Sequence, residues 1–170
     1  DLTRDDKAKQ KWTGGPVTGD NTGVEYYGTI FAIAESPKKP GVLWAGSDDG
    51  LVHVSLDDGK TWQNVTKNIP KLKEWATIAC IEASPHQAGT AFVVVDAHRL
   101  DDNTPYLYMT KDFGKSWNLL SDKLPKDDYL RVVREDPQAP GLLYAGSETE
   151  IQISRDFGQT WRSLQLNMPT

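Results

Sequence analysis

The segment Asp96-Ala97-His98-Arg99-Leu100-Asp101-Asp102-Asn103-Thr104-Pro105 is the densest mixture of acids, base and histidine in the 170-residue chain. Two carboxylates flanking a sugar can hydrolyse a glycosidic bond, at a separation of about 5 Å for retention or about 6.5–9.5 Å for inversion. Asp96, Asp101 and Asp102 are therefore the catalytic candidates, although separation in space cannot be read from spacing in sequence. The same carboxylates, with His98 and Arg99, can instead hold a polar ligand. Asp48 and Asp49 would add acceptors, and Trp75 and Tyr129 would add rings for stacking. The plain alternative is a solvated loop in which Arg99 pairs with a neighbouring aspartate.

Clustered acids can also bind Ca²⁺, but no EF-hand-like spacing is present. His53, His86 and His98 are too scattered to read as a zinc set. No metal ligand set and no cofactor is expected, with calcium left open. The single cysteine, Cys80, cannot form an internal disulfide and sits in the apolar run Thr77-Ile78-Ala79-Cys80-Ile81, where a small buried hydrophobe is expected.

The elements that must position these residues are repeated. Ser55-Leu56-Asp57-Asp58-Gly59-Lys60-Thr61-Trp62 aligns with Thr110-Lys111-Asp112-Phe113-Gly114-Lys115-Ser116-Trp117 and with Ser154-Arg155-Asp156-Phe157-Gly158-Gln159-Thr160-Trp161. A second element precedes each copy: Ile33-Ala34-Glu35-Ser36-Pro37, Ile81-Glu82-Ala83-Ser84-Pro85 and Val133-Arg134-Glu135-Asp136-Pro137, each followed by a glycine and an apolar run. A repeat near 40–50 residues holding four short strand signals predicts an all-β propeller of four-stranded antiparallel blades. The [ST]-x-D-x-G-x-[ST]-W box falls between strands three and four. Asp57, Asp112 and Asp156 are expected to accept turn amides, and Gly59, Gly114 and Gly158 to allow a positive φ. Trp62, Trp117 and Trp161 are expected to bury their rings between sheets. Recurrence in every unit assigns these residues to folding, not to a single active site.

The units read as residues 28–72, 75–126 and 129–170, with boxes at 55–62, 110–117 and 154–161, after a 1–27 segment read as the tail of a preceding blade and a connector. Loops 2–3 and 4–1 share one face of such a disc, opposite the boxes. The middle unit carries its insertion, 96–105, on that face: Gly89 to Thr110 spans 21 positions where Gly41 to Ser55 spans 14. Glu148, Glu150, Glu74-Trp75, Asp127-Asp128-Tyr129 and the glycine-rich 14–27 segment with Asp20, Asn21, Tyr26 and Tyr27 join it there. Closed propellers have about 4–8 blades. Three units therefore predict part of a larger propeller, completed by the remaining blades of a parent chain or by a homo-oligomer.

A net charge of −5 and the absence of a basic cluster argue against nucleic acid. No apolar run approaches the roughly 20 residues of a membrane span.

With its boxes, the stretch 43–55 and Arg134-Glu135-Asp136-Pro137, the chain resembles the Asp-box propellers, or bacterial neuraminidase repeats. That superfamily includes sialidases, xyloglucan-type glycoside hydrolases and sortilin-type peptide-binding propellers. The nearest likeness is to large secreted bacterial proteins with glycosyl-hydrolase-like or sortilin-like repeats. The resemblance implies an extracellular or periplasmic location and a binding or scaffold segment that recognises glycan or peptide. The alternatives are part of a sialidase-like or xyloglucanase-like hydrolase, or a purely architectural segment. The Arg-Ile-Pro segment of sialidases is absent, and the resemblance leans away from an enzyme.

Overall fold

Twelve short strands, punctuated by Gly, Pro and Asp, fold into three antiparallel meanders of four strands each. The computed structural model describes residues 1–9 and 27–164. Asp20, Asn21, Tyr26 and the end of the third unit lie outside them. The first sheet contains β1 (Ile30–Glu35), β2 (Leu43–Ser47), β3 (Val52–Ser55) and β4 (Gln63–Asn64). The second contains β5 (Thr77–Ala83), β6 (Ala91–Asp96), β7 (Tyr106–Thr110) and β8 (Asn118–Leu119). The third contains β9 (Leu130–Glu135), β10 (Leu143–Ser147), β11 (Ile151–Ser154) and β12 (Arg162–Ser163). Within each sheet the order is sequential, and the first strands β1, β5 and β9 pack side by side. This is the fan of propeller blades. Residues 1–9 add no strand.

Each box closes the turn between the third and fourth strands by the same bonds. Asp112 accepts the Ser116 amide at 2.9 Å, the Ser116 hydroxyl at 2.6 Å and the Thr110 hydroxyl at 2.8 Å; Thr110 Oγ1 in turn accepts the Gly114 amide at 2.9 Å. Asp57 and Asp156 repeat this set with Thr61 and Thr160. Two successive residues turn left-handed in each box, the glycine and the residue before it: Asp58 and Gly59, Phe113 and Gly114, Phe157 and Gly158. The preceding residue's amide donates to the glycine that follows each Pro element, Gly41, Gly89 or Gly141, at 3.0 Å every time. At Gly141 a Cβ would come within 2.5 Å of the Phe157 ring. The repeated glycine is thus the seat of the repeated turn.

Asp112→Ala leaves three donors without their acceptor and is expected to cost roughly 1–2 kcal/mol, read as a lower thermal midpoint with an unchanged native spectrum. The bonds from Thr61 and Thr160 hold Asp57 and Asp156 at about 2, below the ordinary 3.8. Their contribution is present above about pH 4 and is lost as pH falls through about 2. Acid titration of the melting midpoint should show this slope in the native chain, and a shallower one in the variants Asp57→Asn and Asp156→Asn.

Alternation along the middle sheet divides the core in two. Ala91, Val93 and Val95 face the first sheet and Phe92 and Val94 face the third. A register shift recurs near the start of each first strand. It lets residues three apart share a face, so Ile78 and Ile81 both enter the first core and Leu130 and Val133 the second.

The box tryptophans pack backward, onto the preceding sheet. Trp117 is buried and meets Trp44 of the first sheet edge to face at 6.0 Å; Trp161 donates Nε1–H to the Leu120 carbonyl of the second sheet at 2.9 Å. Trp62 and Trp161 correct the expectation of rings buried between sheets: both are half-buried, and no described sheet precedes Trp62, whose Nε1–H bonds Gly59 of its own turn as that of Trp117 bonds Gly114. No helix among the described residues is long and apolar enough to cross a membrane.

Candidate functional site

The insertion forms the loop between β6 and β7, with a 3₁₀ turn at His98–Leu100 and Asp101 left-handed at its end. Asp96, the last residue of β6, is buried. One carboxylate oxygen accepts the His98 amide at 2.9 Å and bonds His98 Nδ1 at 2.6 Å; the other accepts Arg131 at 3.0 Å from the third sheet. Arg131 donates again to Glu148 at 2.6 Å and to the Tyr129 hydroxyl at 2.8 Å. The Tyr129 ring stacks on His98 at 4.6 Å and 16°, and the Arg131 guanidinium lies 4.6 Å from the centre of the same ring. Burial works against the charge on Arg131, but Glu148 and Asp96 outweigh it and raise its pKa; Arg131 in turn lowers that of Glu148. Asp96, His98 and Tyr129 therefore meet at the junction of the second and third sheets.

The other residues named from sequence lie elsewhere. Burial would push Asp102 up, but Lys73 at 2.8 Å, Thr104 and the Tyr106 hydroxyl at 2.9 Å hold it at about 2. Arg99 is exposed and forms no ion pair among the described residues. Lys73, from the 4–1 connector, takes the place expected for it beside an aspartate. Asp101 is exposed, its amide closing the 3₁₀ turn. Asp48 and Asp49 are held internally. Asp48 accepts the Gly28 and Thr29 amides at the start of β1, and Asp49 accepts the Arg4 amide at 2.7 Å. Arg4 then covers the Trp75 ring at 4.5 Å, and Tyr27 stacks on that ring at 6.0 Å. Among the described residues no three His, Cys, Asp or Glu side chains converge in a way that could hold a metal ion.

Sequence reading overlooked Arg131. Its one signal is an arginine interrupting the apolar run Leu130-Arg131-Val132-Val133 of a first strand. It also overlooked the groove of about 710 Å³ along the other end of the first strands, where Arg134 pairs with Glu82 at 3.3 Å and Glu135 accepts the Ser84 hydroxyl and the Gly141 amide.

Residues 152–163 match the BNR/Asp-box repeat. The sheets are Asp-box propeller blades. The Asp-box chain is 30% identical over 128 residues to a probable oligoxyloglucan-reducing end-specific xyloglucanase of Neosartorya fischeri, across 71% of this chain and 13% of that protein. It is 32% identical over 113 residues to vacuolar protein sorting/targeting protein 10 of Laccaria bicolor, across 65% of this chain and 7% of that protein. The structure of YCF48 bound to D1 peptide superposes with a TM-score of 0.60 at 19% identity, covering 80% of this chain and 40% of YCF48. The chain thus spans a small part of the relatives it matches.

Proposed function

We propose that the chain is a binding segment of an Asp-box propeller that recognises glycan or peptide on the face bearing the 2–3 loops, outside the cytoplasm. The observation that carries this reading is the Tyr129–Arg131 pair. Arg131 spends three of its five N–H donors on Glu148, Asp96 and Tyr129 and is half-exposed. Two donors are left for a ligand oxygen, beside a tyrosine ring held in place by His98 and the guanidinium. Two relatives support it, one named as an enzyme acting on xyloglucan oligomers and one as a sorting protein. The solved peptide complex of a propeller of this type supports the peptide arm.

A hydrolase reading has less behind it. The Asp96 and Asp102 carboxylates are both engaged, and Asp102 stays ionised far below the range of a general acid. Screening the chain on immobilised glycans and on a peptide library separates the two ligand classes. On any ligand found, Arg131→Ala should weaken binding at least about tenfold, with Arg162→Ala as the unaffected control. Binding that survives Arg131→Ala unchanged would place the ligand elsewhere.

A further inference from the structure

The two ends of the fan carry complementary halves of the junction already made twice inside it. At each internal junction the first strand of one sheet buries two aliphatic side chains against the sheet before it: Ile78 and Ile81 are 0% and 6% exposed, Leu130 and Val133 are 1% and 0%. The equivalent residues of the first sheet, Ile30 and Ile33, are 42% and 71% exposed. They stand with Phe31 and Leu56 as the exposed large hydrophobics of the described residues, all four from the first sheet or its turn. Ile30 and Ile33, the counterparts of the buried pairs Ile78/Ile81 and Leu130/Val133, form an exposed aliphatic pair that marks this side of the first sheet as an interface.

The far face of the third sheet offers the matching seat. Ile78 rests on Gly46, so closely that a Cβ there would come within 2.4 Å of its Cγ2. Gly146 holds the same register position, opposite Val132 as Gly46 is opposite Ala32, and a Cβ there would meet only Val132 of its own sheet. The second sheet has Val94 at this position and receives Leu130 instead, so glycine is matched to isoleucine. Trp117 packs edge-on against Trp44; Tyr144 occupies the register of Trp44, and the half-buried Trp62 is the box residue that corresponds to Trp117.

We propose that the third sheet docks the first sheet of a second copy of this chain, head to tail, with Ile30 over Gly146 and Trp62 against Tyr144. Two such contacts would join the three described sheets of each copy into a ring of six blades, within the range of about 4–8 found in closed propellers. A head-to-tail contact that closes in this way stops growing at the ring.

Sedimentation velocity on the full chain tests it. The native chain should sediment at twice the chain mass. Ile33→Arg spoils one face and Tyr144→Arg the other; each alone should give the monomer, because each spoils both junctions of the ring. Mixed in equal amounts they should regain the dimer mass through the one junction that remains intact. Ile33 is exposed, so Ile33→Arg removes little internal contact, and circular dichroism should show an unchanged fold. A native chain that stays monomeric at high concentration overturns the proposal in favour of further blades within one polypeptide or of the chain's own ends covering both faces. A mixture that stays monomeric overturns the head-to-tail geometry.

Discussion

Trp44→Ala is expected to remove about 3–5 kcal/mol of stability, the range for deleting a buried large aromatic, and on the order of 10 °C from the melting midpoint. The ring is fully buried, stands between Ala34 and Val54 in register and receives the edge of Trp117. Alanine would leave a cavity that three rigid neighbours cannot refill. Trp44→Phe should behave differently. The indole N–H of Trp44 is buried without a hydrogen-bond partner among the described residues, and an unmet buried donor costs about 1–3 kcal/mol. Phenylalanine keeps most of the ring and removes that donor, so its net cost should be below about 1.5 kcal/mol. Because each sheet touches only its neighbours, damage should stay local. Hydrogen exchange is expected to rise in β1–β8 of Trp44→Ala, while β10 and β11 remain protected. A loss of only one or two degrees in Trp44→Ala, or uniform loss of protection, would contradict this account of the core.

The blade was legible because its information is local and repeated. Asp, Gly and Ser or Thr at fixed offsets satisfy one another inside eight residues, so three copies of the box specify three copies of one turn. The left-handed residue before each glycine was not legible. Phe113 and Phe157 are bulky aromatics that rarely adopt a positive φ, and Asp58 in the first box differs from both, so residue type does not announce the turn. The direction in which the tryptophans pack was hidden for another reason. It depends on the neighbouring sheet, and a repeat read one unit at a time contains no neighbour. The candidate site shows the same divide. Asp96 and His98 are two residues apart and their bond follows from proximity. Arg131 reaches Asp96 across 35 positions, a pairing that only the stacking of the second sheet on the third creates. Asp48 and Asp49 looked like free acceptors because the amides that occupy them come from Gly28, Thr29 and Arg4, a turn and a segment far along the chain.

Asp96→Ala is expected to destabilise the chain by about 2 kcal/mol and to weaken ligand binding together with stability. Removing one member of a buried ion pair costs about 3–5 kcal/mol. The expected loss is smaller here because Arg131 is half-exposed and keeps Glu148. The His98 amide, His98 Nδ1 and one Arg131 nitrogen all lose their acceptor at once. The imidazole and the guanidinium that pack on the Tyr129 ring are then free to rotate away from it. In the proposed site Asp96 would act through Arg131 and Tyr129, as a positioning residue. Asp96→Asn separates this role from a catalytic one. The amide retains one oxygen acceptor but turns an NH₂ toward either His98 or Arg131, so it should lower the melting midpoint as well as any activity. A carboxylate used only in chemistry would lose activity with the midpoint unchanged. The deciding measurement is a double-mutant cycle between Asp96→Asn and Arg131→Ala on thermal stability. Positioning predicts a coupling of at least about 1 kcal/mol, because the second substitution removes what the first had already disturbed. Additive effects would show that the buried carboxylate and the arginine act independently, and would count against Asp96 as a positioning residue.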